Sequence, residues 1–325
     1  MNKNIAVVGC GHWGKNLVRN FSELDVLAAV CDPNLKISQK YSSLYSVRNM
    51  SFSEILDDAS IEGVVLAVPA PLHSSLARKA FTAGKHVFVE KPLAMTLEEA
   101  DQMIEASEKT DRHLMVGHLL QYHPIFIRLK ELIAKGDLGS LKYISSSRLS
   151  FGKIRSEEDV LWSFAPHDIS MILKLANQGV ADVRCEAVEM LQAGIADQAH
   201  LHILFEDGLR GYVHCSWLHP KKEQKLIVVG SEGMAVFDDV KPWNQKLALF
   251  AHKVDWAEAS LELIKADATY EKVNFVEPLK NECQYFIKLI SGQVEPMTSG
   301  YEGREVLEIL TSATACIETM RSKHA

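Results

Sequence analysis

Three glycines, Gly9, Gly11 and Gly14, follow the apolar run "NIAVV" and precede "KNLVRNFSEL", where Leu17, Phe21 and Leu24 recur at helical spacing. Strand, glycine turn and helix in that order suit a pyrophosphate. The first glycine makes the tight turn, the second lets the backbone approach the anion, and the third lets the helix lie close on the strand. Amide N–H groups at the helix start then face the anion, and the helix dipole favours its charge. His12 and Trp13 lie inside this turn and would line the cofactor, Trp13 as a packing residue. Asp32 ends the next strand-like run, "VLAAVCD". A carboxylate there accepts from ribose hydroxyls and repels a 2′-phosphate, so NAD is expected ahead of NADP. Lys36, which could meet a 2′-phosphate, reads as a solvated helix lysine.

A second candidate for chemistry is the charged pair in "HVFVEKPLA". "HVFVE" reads as a buried strand, and ligands of parallel sheets bind beyond the carboxyl ends of the strands. Pro92 fixes the backbone at that edge. Lys91 is therefore expected to hydrogen-bond a reacting hydroxyl, with Glu90 beside the cofactor anchoring the turn or a neighbour. His167 is the third candidate. "APHDISMILKL" reads as a helix with Pro166 and His167 in its first turn and Ile169, Ile172 and Leu173 on its apolar face. A histidine at a helix amino terminus is held neutral by the partial positive charge there. A neutral imidazole can take the proton of an alcohol as hydride leaves its carbon. Asp168 reads as a favourable charge at the same helix start.

Further polar residues could hold a substrate: Tyr122 and His123 in "QYHP", Arg148, Lys153 and Arg155 in "SSSRLSFGKIR", and Trp162. The basic ones precede the His167 segment and could bind a carboxylate or phosphate by charge-assisted hydrogen bonds. Lys153 reads equally well as a solvated loop lysine.

The elements that must position these groups form two sets. Up to about residue 120, apolar runs alternate with helical stretches: "VLAAVCD", "GVVLAVP", "KHVFVE" and "HLMVG" are strands apolar on both faces, as a parallel sheet covered on two sides requires. Thr96 and Glu99 predict a capping box at one helix start. After a helix from Pro124 to about Lys135 come strand-like runs at "LKYISSSRLSF", "AHLHILFE", "LRGYVHCSWL", "KLIVVG" and "KLALFAHKV". The "HDISMILKLAN" helix interrupts this series, and two more close the chain. The expected class is α/β, with a dinucleotide-binding domain over 1–120 and an α/β domain with an open, predominantly antiparallel sheet over 121–325.

Composition narrows the setting. The 325 residues suit two domains, and 47% hydrophobic with 24% charged residues is ordinary for a globular chain. A net charge of −7 supplies no field for nucleic acid or an anionic membrane. The six cysteines form no C-x-x-C pair, which points to reduced thiols in the cytoplasm and to no bound metal. No signal-peptide pattern and no membrane-spanning apolar run is present.

The set "GCGHWG", "CDPN", "AVPAPLH", "AGKHVFVEKPLA" and "PHDIS" resembles the Gfo/Idh/MocA family of NAD(P)-dependent sugar and cyclitol oxidoreductases, over most of the chain. The resemblance implies a dinucleotide-binding domain joined to an α/β domain whose open sheet forms subunit contacts, hence a homodimer or homotetramer. It also implies that Lys91 sits near nicotinamide and substrate, that Pro69 and His73 lie near the cofactor, and that a histidine of the second domain completes the site. The family often has aspartate four residues before that histidine, where this chain has Ser163. A mechanism of Lys91 and His167 alone is then expected, with the orienting group open. The resemblance is nearest to enzymes of nucleotide-linked sugars in surface-glycan synthesis, including those that oxidise carbon 3 of a UDP-linked N-acetylaminoglucuronate. A free sugar or inositol dehydrogenase is the alternative enzyme, and a non-catalytic NAD-binding sensor or scaffold the alternative of another class.

Overall fold

The computed structural model describes residues 3–257 and 260–324. Its first sheet is built from β1 (Ile5–Val8), β2 (Leu27–Cys31), β3 (Arg48–Asn49), β4 (Gly63–Leu66), β5 (His86–Glu90) and β6 (Leu114–Gly117). The order β3-β2-β1-β4-β5-β6 is parallel throughout. Chain order reverses between β1 and β4, and a crevice at that switch point is where such sheets take a dinucleotide. The crossovers are α1 (Gly14–Glu23), α2 (Leu35–Tyr45), α3 (Phe52–Asp57), α4 (His73–Thr82) and α5 (Leu97–Lys109). β1, β4 and β6 are buried at every residue, as strands with helices on both faces must be. At α5 the Thr96 side chain accepts from the Glu99 amide at 3.2 Å. The Glu99 carboxylate, however, takes the Met95 amide at 3.0 Å, so the predicted box is closed one residue further out.

The second set runs through α6 (Pro124–Ala134), β7 (Leu141–Phe151), α7 (Val160–Ala176), β8 (Val180–Val188), β9 (Gln198–Phe205), β10 (Arg210–Ser216), β11 (Leu218–Gly230), β12 (Met234–Asp238), β13 (Leu247–Phe250), a hairpin β14 (Lys253–Ala257) and β15 (Ser260–Ile264), and β16 (Thr269–Tyr270). Eight of these strands make one sheet, β16-β13-β12-β11-β7-β10-β9-β8. β10 runs parallel to β7 and every other pairing in it is antiparallel. α7 packs on β7, β9 and β10. The fit is close: a Cβ on Gly211 would lie 2.8 Å from Ile172. Side chains alternate across β9, with Ala199, Leu201 and Ile203 buried and His200 and His202 exposed. The opposite face of the sheet thus presents His200, His202 and Tyr143 to solvent.

Two helices close the chain, α8 (Pro278–Ile290) and α9 (Gly300–His324). The two compact units are 1–122 with 276–308, and 123–275 with 309–325. A single cut after residue 120 therefore misses the return of 276–308 to the dinucleotide-binding unit. Packing explains that return. Phe286 of α8 meets Phe88 edge-on at 5.6 Å and Phe21 at 6.4 Å, and Cys283 and Leu289 are buried in the same core as Ile5 and Val65. Gly63 has no side chain at the point where Ile290 and Phe286 approach β4.

Candidate active site

The glycine turn fits a dinucleotide. Gly9 has φ +90°, and a Cβ there would lie 2.4 Å from the carbonyl oxygen of Ala67. A Cβ on Gly14 would fall 1.9 Å from the Gly9 carbonyl oxygen, so helix and turn touch backbone to backbone. Gly11 faces open space, with nothing within 4 Å of a Cβ built on it. That is the approach a pyrophosphate needs. No side chain caps α1 at Trp13; the Lys15 and Asn16 amides bond the carbonyls of Gly11 at 3.2 Å and Trp13 at 2.8 Å, and the Gly14 amide ahead of them can face an anion. The Asp32 carboxylate accepts from the Cys10 amide at 2.8 Å and the Asn34 amide at 2.9 Å, so it is held at the end of β2 beside the turn. Each oxygen keeps a lone pair for a ribose hydroxyl. NAD should accordingly bind more tightly than NADP, and Asp32→Ala should narrow the gap. Equal dissociation constants for the two in the unmodified protein would contradict this role. His12 and Pro69 are exposed at the same edge.

Beyond the carboxyl end of β5, side chains converge around Lys91. The Trp13 indole donates to Glu90 Oε1 at 2.5 Å, and the Lys91 amide reaches Glu90 Oε2 at 3.3 Å. Glu90 thus ties the glycine turn to the Lys91 turn. Burial raises its carboxyl to about 7, while the Trp13 hydrogen bond and the Lys91 charge pull the other way. His73 is buried, with Nδ1 2.8 Å from the Pro92 carbonyl oxygen and Nε2 3.0 Å from that of Val68. It pins two loops of this edge together, and burial lowers its pKa against the pull of those carbonyls.

Two neighbours escaped the sequence reading. His118, buried directly after β6, has its pKa lowered to about 3 by burial and then by the Lys91 charge. The available signal was a histidine at the end of a parallel strand. Glu282 of α8 is fully buried, and burial followed by the Glu90 charge raises its carboxyl well above the usual range. Nothing local to "LKNECQYF" announces that.

In the second unit, α7 begins at Val160, with the Asp159 side chain accepting from the Trp162 amide at 3.0 Å. His167 therefore lies in the helix interior, half-buried, with Pro166 inside the helix before it. The argument from a helix amino terminus does not apply, because the helix starts a full two turns earlier. Ser163, also buried, precedes His167 by one turn.

Asp168 is not a helix-start charge either, since it too lies inside α7. It is 1% exposed and accepts from Arg148 Nε at 2.5 Å, Arg148 Nη2 at 3.2 Å and Ser146 Oγ at 2.5 Å. Arg148 spends its fork on this pair, which clamps α7 to β7. Arg155 remains partly exposed at 39% and pairs with Glu158; Lys153 is exposed in the same loop.

Other substrate candidates have structural partners. The Tyr122 hydroxyl is buried against Thr298 Oγ1 at 2.7 Å. His123 is a buried cap of α6: its Nδ1 accepts from the Ile125 amide at 3.1 Å, and its Nε2 lies 3.4 Å from Asp239. Trp162 is half-buried and its indole donates to Thr314 Oγ1 at 3.0 Å.

Residues 3–118 match the model of an oxidoreductase family with an NAD-binding Rossmann fold, and residues 126–236 match a GFO/IDH/MocA C-terminal domain. A UDP-N-acetylglucosamine 3-dehydrogenase of Acidithiobacillus ferrooxidans is 28% identical over 320 residues, 96% of each chain. The solved structure of that enzyme superposes with a TM-score of 0.85 at 22% identity, covering 98% of this chain and 99% of the other. A myo-inositol 2-dehydrogenase of Thermotoga maritima is 25% identical over 98% of this chain and 97% of its own. Among the described residues no helix is long and apolar enough to cross a membrane.

Proposed function

We propose that this chain, which belongs to the Gfo/Idh/MocA family of NAD-dependent oxidoreductases acting on CH–OH groups, oxidises or reduces carbon 3 of a nucleotide-linked amino sugar or uronate. The observation that carries the substrate class is the end-to-end similarity to a UDP-N-acetylglucosamine 3-dehydrogenase. Work in surface-glycan synthesis in the cytoplasm goes with that substrate, and the free cysteines are in keeping with a reducing compartment.

The bound nicotinamide supplies the hydride acceptor or donor. This chain's residues do the rest. Lys91 donates a hydrogen bond to the reacting hydroxyl oxygen and steadies the charge that develops there. His167 takes the hydroxyl proton in oxidation and returns it in reduction. Asp32 selects the unphosphorylated ribose, and Glu90 with Trp13 holds the Lys91 turn against the glycine turn. With Arg148 committed to Asp168, Arg155, partly exposed, is the basic candidate favoured for a uronate carboxylate or a diphosphate, and Lys153 in the same loop is the other.

The test is a panel of UDP-N-acetylglucosaminuronate, UDP-N-acetylglucosamine, free glucose and myo-inositol, assayed with NAD. Turnover confined to UDP sugars is expected, with Arg155→Ala raising KM for them alone. Comparable activity on inositol and the UDP sugars would remove the nucleotide-sugar claim, and the inositol dehydrogenase relative makes that arm a real alternative. The open sheet face, with Tyr143, His200 and His202 in solvent, supports a homodimer or homotetramer, since a second subunit would take that face out of water. A monomer mass by light scattering at micromolar concentration would reject this.

A further inference from the structure

Across the open face of the eight-stranded sheet, neighbouring positions on β8, β9, β10, β7 and β11 set Glu186, His200, His214, Ser147 and Lys225 side by side in one row. At its middle the His200 and His214 rings stack, with centroids 4.1 Å apart and planes 15° from parallel. Gln198, two residues before His200 and so on the same face, places Nε2 3.0 Å from His200 Nε2 and 3.3 Å from His214 Nε2. An amide nitrogen only donates, so each imidazole accepts at Nε2 and both rings are neutral. One amide thus satisfies two rings. A proton added at either Nε2 would point at that NH₂ group and bring a cation against the neighbouring ring. Burial comes first in lowering the His214 pKa, followed by the charges of His200 and His219, while Glu223 on β11 pulls the other way. The other charges facing the pair are Glu186 of β8, exposed beside His200, Arg184, which bonds Asp182, and Lys225, 3.4 Å from Glu223.

We propose that this pair is a proton-sensitive contact between copies of this chain: the open face packs on the same face of a second copy while His200 and His214 are neutral, and protonating them separates the two. The inference rests on the reading that the chain is a homo-oligomer. The row itself suits a second copy. It has an acid at one end and an amine at the other, so a copy turned over about an axis along the strands sets each charge on its opposite. Ser145 and Ser147 keep the centre of the face low on β7, and Tyr143, His202 and Tyr212 supply rings around it, with His202 edge-on to Tyr212 at 5.1 Å. A neutral pair can be covered, because its Nε2 atoms already have a partner. A charged pair cannot, since covering it strips its hydration. Association therefore lowers the histidine pKa. It is fully favoured above the free-subunit value, about 6.5 for an ordinary imidazole, and weakens as pH falls through it.

Two measurements test this. First, sedimentation equilibrium gives the dissociation constant between copies at about pH 7.5 and pH 5.5. With one proton taken up per subunit on separation, it should rise about 10–100-fold in the unmodified protein and less than about threefold in the double variant His200→Asn with His214→Asn. Second, the imidazole Cε1–H resonances of the two histidines, assigned with the single Asn variants, report their titration midpoints even where association is too tight to dissociate. These should lie about a unit or more lower in the assembled protein than in Tyr143→Arg, which sets a charge on the same face four residues along β7 from Ser147 and should be a monomer. An assembly that weakens equally at low pH in the double variant, or midpoints that assembly leaves unmoved, would overturn the inference and leave the homo-oligomer reading standing. Tyr143→Arg with the mass of the unmodified protein would remove the open face as the contact, and the inference with it. A monomer at pH 7.5 in the unmodified protein would remove the homo-oligomer reading itself.

Discussion

Lys91→Ala and His167→Ala are each expected to depress turnover by about 10²–10⁴-fold while NAD binding is largely retained. Under the proposed mechanism both residues would act on one hydroxyl in one step, His167 taking the O–H proton and Lys91 supporting the oxygen while a bound nicotinamide would accept the hydride. Interactions realised in the transition state lower kcat and kcat/KM together when removed. Because the two serve the same step, the double variant should fall little below the worse single one. Cofactor affinity, measured by equilibrium titration, separates chemistry from collapse of the site. Lys91 adjoins Glu90 and its tie to Trp13, so Lys91→Ala could disturb the glycine turn, whereas His167 lies on α7 in the other unit. Full turnover in His167→Ala would remove the mechanism. Multiplying losses in the double variant would assign the two residues to separate steps.

The dinucleotide-binding half was legible because its signals are local. Gly9, Gly11 and Gly14 sit between a strand and a helix that their own apolar spacing announces, and Asp32 closes the next apolar run. The EKP turn likewise follows directly on β5. What was missed depends on contacts distant in sequence. α8 rejoins the first core through Phe286 and Cys283, whose local sequence reads as any amphipathic helix. The same return buries Glu282, and a buried glutamate cannot be told from a solvated one by its neighbours in the chain. Pro166 misled for a different reason. Proline is a common first helical residue, but here Asp159 supplies the cap and "VLWSFA" forms the first turns, so Pro166 falls inside. β8 and β12 were overlooked for other reasons: in β8 the charged Asp182, Arg184 and Glu186 alternate with Val183, Cys185 and Ala187, so only one face is apolar and no continuous apolar run marks the strand, and β12 is short.

Arg148→Met should cost about 3–5 kcal/mol in unfolding free energy, because among the described residues it leaves the buried Asp168 carboxylate with the Ser146 hydroxyl and no cation on it. The residue type and position first suggested a clamp for a substrate carboxylate or diphosphate. The geometry argues otherwise: the Nε–Nη2 edge of the guanidinium is spent on both oxygens of Asp168, and the side chain is 14% exposed. The two roles predict opposite readouts. A substrate clamp would raise KM for a charged nucleotide sugar and leave urea unfolding unchanged. A structural clamp would shift the unfolding midpoint, with kcat falling more than KM rises, since Asp168 adjoins His167 and the pair fixes how α7 sits on β7. Adding Asp168→Leu to Arg148→Met removes the stranded charge as well, so the double variant should recover much of the lost stability. Recovery of stability without recovery of kcat would show that the pair's contribution to catalysis is the orientation of α7, and that its charge as such is dispensable. If instead Arg148→Met unfolds at the same urea concentration as the unmodified protein, the ion pair is not what holds α7, and the substrate role returns as the better account of Arg148.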